Sequence, residues 1–225
     1  SLKYNTLPIT QLYRFHVDAQ DQNKIYAGSQ DNNTIRTTTA DTDNWNAIFG
    51  GDGFQPLVDP ENTNVIYALS QRGNLGKSIN DGASFFSAMS GISNSDRKNW
   101  DTPIAFDPAD SQTLYYGANR LYKTTNAAGN WSAISPDLTQ GPYQGNLTFG
   151  TIISISVYPL DSDVIFVGTD DGNLWTTDDG GAIWSNISAA LPNRWVTSVL
   201  ADPDDVNTVY ATFSGYRFGE NLGHV

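Results

Sequence analysis

Apolar and polar positions along the chain alternate in short runs, broken by Gly, Pro, Asn and Asp. That is the pattern of many short strands. One pairing recurs: an apolar run ends in Asp-Pro or a relative, a short loop follows, and a Tyr-rich run begins. It appears as Phe15-His16-Val17-Asp18 before Lys24-Ile25-Tyr26-Ala27-Gly28, and as Asp59-Pro60 before Val65-Ile66-Tyr67-Ala68. It returns as Ile104 to Pro108 before Thr113 to Gly117, as Ile155 to Pro159 before Val164 to Gly168, and as Val199 to Pro203 before Thr208 to Phe213.

After each of the first four pairs comes a small-residue turn. The fullest copy is Thr177-Asp-Asp-Gly-Gly-Ala-Ile-Trp184, reading Thr-x-Asp-x-Gly-x-x-Trp. Thr and Asp side chains can bond turn amides, Gly accepts a positive φ, and Trp anchors the next strand. Weaker copies run from Thr38 to Trp45, from Ser78 to Phe85, and from Thr125 to Trp131, the last one residue short. Their starts lie 40, 47 and 52 residues apart. Four short strands in a repeat of that length predict an all-β fold of propeller blades, each a four-stranded antiparallel sheet. The expected blades are about 9–49, 50–98, 99–147 and 148–193, with a partial blade at 194–225. Residues 1–8 read as the end of a preceding blade, so all 225 residues are expected to form part of one propeller in a larger protein.

Composition narrows the partners. The formal charge of −12 disfavours nucleic acid and anionic membranes. No apolar run is long enough for a transmembrane helix. The absence of Cys points to an exported protein that does not rely on disulfides. With two His and no Cys, no strong metal spacing is seen and no cofactor is expected; calcium at an Asp-rich loop is the one metal left open.

The Thr177–Trp184 turn, with its copy Ser78-Ile-Asn80-Asp-Gly82-Ala-Ser-Phe85, resembles the Asp-box, or bacterial neuraminidase repeat. That repeat occurs in sialidases, sortilin-type propellers, xyloglucanases and photosystem assembly factors. The stretches Gly28-Ser-Gln-Asp-Asn32, Gly50-Gly-Asp-Gly-Phe54 and Val167 to Gly172 look like large exported bacterial proteins of the sortilin-like type. The resemblance implies that Thr177, Asp179, Gly181 and Trp184, with Ser78, Asn80, Gly82 and Phe85, are structural and lie away from any active centre. It is nearly silent on activity.

The candidate binding residues lie in the other loops. Arg72, Arg120 and Arg217 fall in or beside turns between the second and third strands. Arg97 and Arg194 fall in crossings between blades. Trp100, Tyr143, Trp195, Tyr216 and Phe218 accompany them, and Asp31, Asp52, Asp101, Asp170 and Asp171 supply carboxylates. Arg forks bind carboxylates bidentately, and aromatic rings offer flat apolar faces to sugars. These residues predict a secreted or cell-surface module, of bacterial type, that presents loops to a protein or a glycan. A glycoside hydrolase of sialidase or xyloglucanase type is the alternative, its catalytic pair lying partly outside this chain. A filament or matrix subunit, capped by another chain, is the third reading.

Overall fold

The computed structural model describes residues 10–142 and 148–219. The chain divides into two compact units, residues 1–87 and 88–225. The first holds two antiparallel sheets. One contains β1 (Leu12–Val17), β2 (Ile25–Ser29), β3 (Thr34–Thr37) and β4 (Asn46–Phe49); the other contains β5 (Pro56–Val58), β6 (Ile66–Ser70), β7 (Asn74–Ser78) and β8 (Phe86–Ser87). The second unit holds β9 (Ile104–Phe106), β10 (Leu114–Gly117), β11 (Leu121–Thr124) and β12 (Ser132–Ala133) in one sheet. A second sheet contains β13 (Ile152–Val157), β14 (Ile165–Thr169), β15 (Leu174–Thr177) and β16 (Ser185–Asn186); β17 (Trp195–Ala201) and β18 (Val209–Ser214) pair as a third. Each four-stranded sheet runs in sequence order, as a propeller blade does. No α-helix occurs among the described residues. The expected closing segment at residues 1–8 lies outside them, as does Tyr143.

Local chemistry explains the strand ends. The Asp of each Asp-Pro turn accepts from an amide two residues on: Asp59 from Glu61 at 2.9 Å, Asp107 from Ala109 at 2.9 Å, and Asp202 from Asp204 at 2.9 Å. Proline then removes a donor from the ladder, so the strand stops. The second strand of each blade is packed on both faces, and β6, β10 and β14 are buried along their whole length. That is why they read as continuous apolar runs.

The small-residue turns follow a common register. Ile25 pairs with Thr37, Ile66 with Ser78, Leu114 with Thr124, and Ile165 with Thr177. At the fullest turn Thr177 Oγ1 donates to Asp179 at 2.8 Å and accepts from the Gly181 amide at 3.0 Å. Asp179 in turn accepts from the Ile183 amide at 2.9 Å. Ser78, Asn80, Gly82 and Ser84 repeat these bonds. The third copy requires a correction. It begins at Thr124, whose hydroxyl bonds Asn126, and Asn126 accepts from the Asn130 amide at 2.9 Å. The turn is therefore full length, with Asn126 in the acidic place. The run Thr124-Thr125 hid the start, because either Thr satisfies the pattern and only the strand register chooses. In the first copy, likewise, the residue in register is Thr37.

Candidate functional site

Of the candidate residues, Arg194, Trp195, Tyr216 and Arg217 come together at one end of the β17–β18 sheet. Trp195 opens β17, and a single 3-10 turn at Tyr216–Phe218 follows β18. The Arg217 guanidinium lies 4.9 Å from the Trp195 ring centre and 5.4 Å from that of Phe149. Phe149 meets Trp195 edge to face at 6.3 Å, and Arg194 lies 4.9 Å over Phe218. Such stacks hold planar groups in fixed orientations. Beside them is an open cavity of about 210 Å³, lined by Trp195, Thr197, Ser214, Tyr216 and Arg217. Tyr216 is 88% exposed. The cavity thus combines flat apolar surface, two hydroxyl-bearing strand residues and one guanidinium.

Asp170 holds the Phe149 end of this surface, and Asp171 ties the neighbouring Gln140 loop. Asp170 is fully buried and accepts from the amides of Phe149 and Thr151. Burial raises its pKa, and the amide bonds only partly offset that. Asp171 accepts from Thr169, Asn173 and the Gln140 amide. Arg97 donates to the Gly150 carbonyl at 3.0 Å and to Asp137 at 2.6 Å, so it ties the segment carrying Phe149 to a neighbouring loop. Burial works against ionisation of Asp137, but bonds from Thr139 and Arg97 outweigh it and lower its pKa. These groups position main chain.

The remaining candidates lie apart. Arg120 grips Asp96 through two bonds of 2.8 Å, and Tyr122 donates to the same carboxylate, which fastens the loop before β9. Trp100 is 40% exposed, and the Asp101 amide donates to Asn99. Arg72 belongs to the other unit, where it sits exposed in a 3-10 turn at φ 57°. In that unit Asp52 accepts from the Asp31 amide, joining two loops. Among the described residues, no group of three or more His, Cys, Asp or Glu side chains is placed to hold a metal ion. No helix is long and apolar enough to cross a membrane.

Sequence reasoning missed Phe149, Thr197 and Ser214. Thr197 and Ser214 look like ordinary alternating strand residues, and Phe149 lies between recognisable repeats. Only the tertiary contact with Trp195 distinguishes it.

No protein-family model matches the chain. It is 27% identical over 175 residues to a xyloglucanase of Hypocrea jecorina, a match covering 70% of this chain and 20% of that protein. It is 26% identical over 165 residues to an oligoxyloglucan-reducing end-specific xyloglucanase of Emericella nidulans, covering 68% and 20%. The chain thus spans about a fifth of the length of these relatives. Among solved structures it is similar to an ancestral GH74 enzyme (TM-score 0.68, 18% identity, covering 90% of this chain and 29% of that one). It is also similar to the GH74 xyloglucanase of Xanthomonas campestris (0.65, 20%, covering 90% and 36%). YCF48 of Cyanidioschyzon merolae gives 0.59 at 14% identity, covering 93% of this chain and 66% of that one. At these identities the structural likeness establishes the fold, a β-propeller.

Proposed function

We propose that this chain is part of a polysaccharide-processing propeller of the Asp-box type. Its own share of the work is to bind a xyloglucan-type glycan at the Trp195–Tyr216–Arg217 surface. The observation that carries this is the open cavity in which an exposed tyrosine, a stacked tryptophan and a guanidinium converge. Curated relatives named as xyloglucanases supply the substrate class. A polymeric glycan is met outside the cell, so the protein is placed there, as an exported protein.

The glycosidase reading draws on the same relatives. A glycosidase needs an acid and a second carboxylate about 5–10 Å apart across the scissile bond. Asp170 and Asp171 are occupied by main-chain and neighbouring polar groups. Asp52 is occupied by the Asp31 amide. With Asp170, Asp171 and Asp52 held in this way, substrate binding is the role proposed for this chain.

Calorimetric titration with xyloglucan oligosaccharides tests the proposal, with reducing-sugar release followed in parallel. Saturable binding without cleavage is expected. Trp195→Ala and Tyr216→Ala should each weaken binding at least about tenfold, near 1.4 kcal/mol. Affinity unchanged in both variants would remove this surface from consideration. Cleavage by the 225-residue chain would return the catalytic pair to it.

A further inference from the structure

Asp170 is a buried carboxylate whose two oxygens are both engaged by one neighbouring segment. Its Oδ2 accepts from the Phe149 amide at 2.5 Å, and its Oδ1 from the Thr151 amide at 2.8 Å. Gly150, between those amides, has φ +69°, and its carbonyl accepts from Arg97. An added Cβ at Gly150 would strike the Gly141 carbonyl. Segment 149–151 is thus fixed at each of its three residues. Phe149 leaves this clamp with its ring edge-on to Trp195 and close to the Arg217 guanidinium.

The sheet itself does not need this carboxylate. β13 and β14 pair with the same register and the same bulge as β1 and β2, and as β17 and β18. On that register Gln30 and Ser214 hold the place of Asp170. The Gln30 amide donates to the Gln11 carbonyl at 2.9 Å, as the Asp170 amide donates to that of Thr151 at 3.0 Å. The main-chain bond is therefore made with or without an acid. What the acid adds is a pair of acceptors for the Phe149 and Thr151 amides, although burying a charge is unfavourable.

We propose that Asp170 is a positioning residue for the Trp195–Arg217 surface: it holds Phe149 in the stack only while ionised, so the surface is assembled near neutral pH and loosens in acid. An ionised carboxylate accepts at both oxygens. Protonation turns one oxygen into a donor, which then faces an amide that also donates. Burial raises the Asp170 pKa; the Thr151 and Phe149 amides oppose this, and the Asp171 charge adds to it. The cations on the same segment are Arg97, on the Gly150 carbonyl, and Arg217, near the Phe149 ring. The ionised form is lost as the pH falls through a raised value, so the transition lies above the ordinary Asp value of about 3.9. The consequence for glycan binding rests on the glycan reading; the assembly of the stack does not.

Amide hydrogen exchange, corrected for intrinsic rate and followed from neutral pH down to about 4, tests this with Ile165–Val167 as internal reference. Protection of the Phe149 and Thr151 amides should fall at least about tenfold while the reference holds. Asp170→Asn, which offers one acceptor and one donor as the protonated acid does, should show the lower protection at every pH. Acrylamide quenching of the Trp195 emission, taken as the difference between the parent and Trp195→Phe, should rise over the same range. It decides the question in the parent alone if Asp170→Asn loses the reference protection. Affinity for neutral xyloglucan oligosaccharides should fall at least about tenfold with the same midpoint, and should not vary with pH in Asp170→Asn. Phe149 protection and Trp195 quenching that do not change with pH in the parent overturn the proposal. So does full Phe149 protection in Asp170→Asn. Absence of oligosaccharide binding at every pH, with the protection change present, removes the glycan reading and upholds the role of Asp170.

Discussion

Thr177 shows how much a single hydroxyl can organise. It is almost wholly buried, accepts two turn amides and donates to Asp179. Thr177→Val keeps the shape and strands those donors, which should cost about 1–3 kcal/mol in urea unfolding. Gly181→Ala at the same turn should also destabilise, because φ is +102° and an added Cβ would lie 2.7 Å from the Ile134 oxygen. Asp137 brings a pH dependence. Its pKa is lowered in the fold, so its stabilising effect is complete above the ordinary Asp value of about 3.9. That effect is lost as the pH falls through the lowered value. Tm followed through the acid limb should therefore fall less steeply in Asp137→Asn than in the parent.

At the scale of elements, the Trp184 indole ties its own sheet to the β9–β12 sheet through the Ile134 carbonyl. Trp131 is 1% exposed, so Trp131→Ala should cost about 3–5 kcal/mol by chemical denaturation. Trp131→Phe separates the two parts of that cost: it keeps most of the apolar area and leaves the Ala88 carbonyl without its indole donor. The strands themselves were legible from the sequence, because Asp-Pro turns and apolar runs are local signals. The start of the third turn was not. Thr124 and Thr125 are chemically alike, and the register between β10 and β11 alone separates them.

Across the whole molecule, with a net charge of −12, salt dependence separates the proposed neutral glycan from a charged ligand. Binding of neutral xyloglucan oligosaccharides through aromatic contacts should change less than about twofold between low salt and roughly 0.5 M, where exposed charges are screened beyond a few ångströms. Affinity that falls steeply over that range would instead show a charged ligand held by Arg194 and Arg217. Retardation by duplex DNA on a native gel is not expected at any salt, since the overall field repels phosphate.

The sequence by itself determined the repeat, the strand order within each repeat and the chemistry of the turns. All of these depend on residues a few positions apart, and their spacing recurs. It also picked out Arg194, Trp195, Tyr216 and Arg217 as candidate residues. Only the tertiary structure decided which candidates meet. Arg217, Trp195 and Phe149 meet from three separate segments, and Asp170 holds Phe149 from a fourth. Arg97 and Arg120, indistinguishable by residue type from Arg217, were committed by their surroundings to ion pairs with Asp137 and Asp96. An arginine's role depends on what lies within reach of its guanidinium, and that distance is set by packing between segments far apart in the chain.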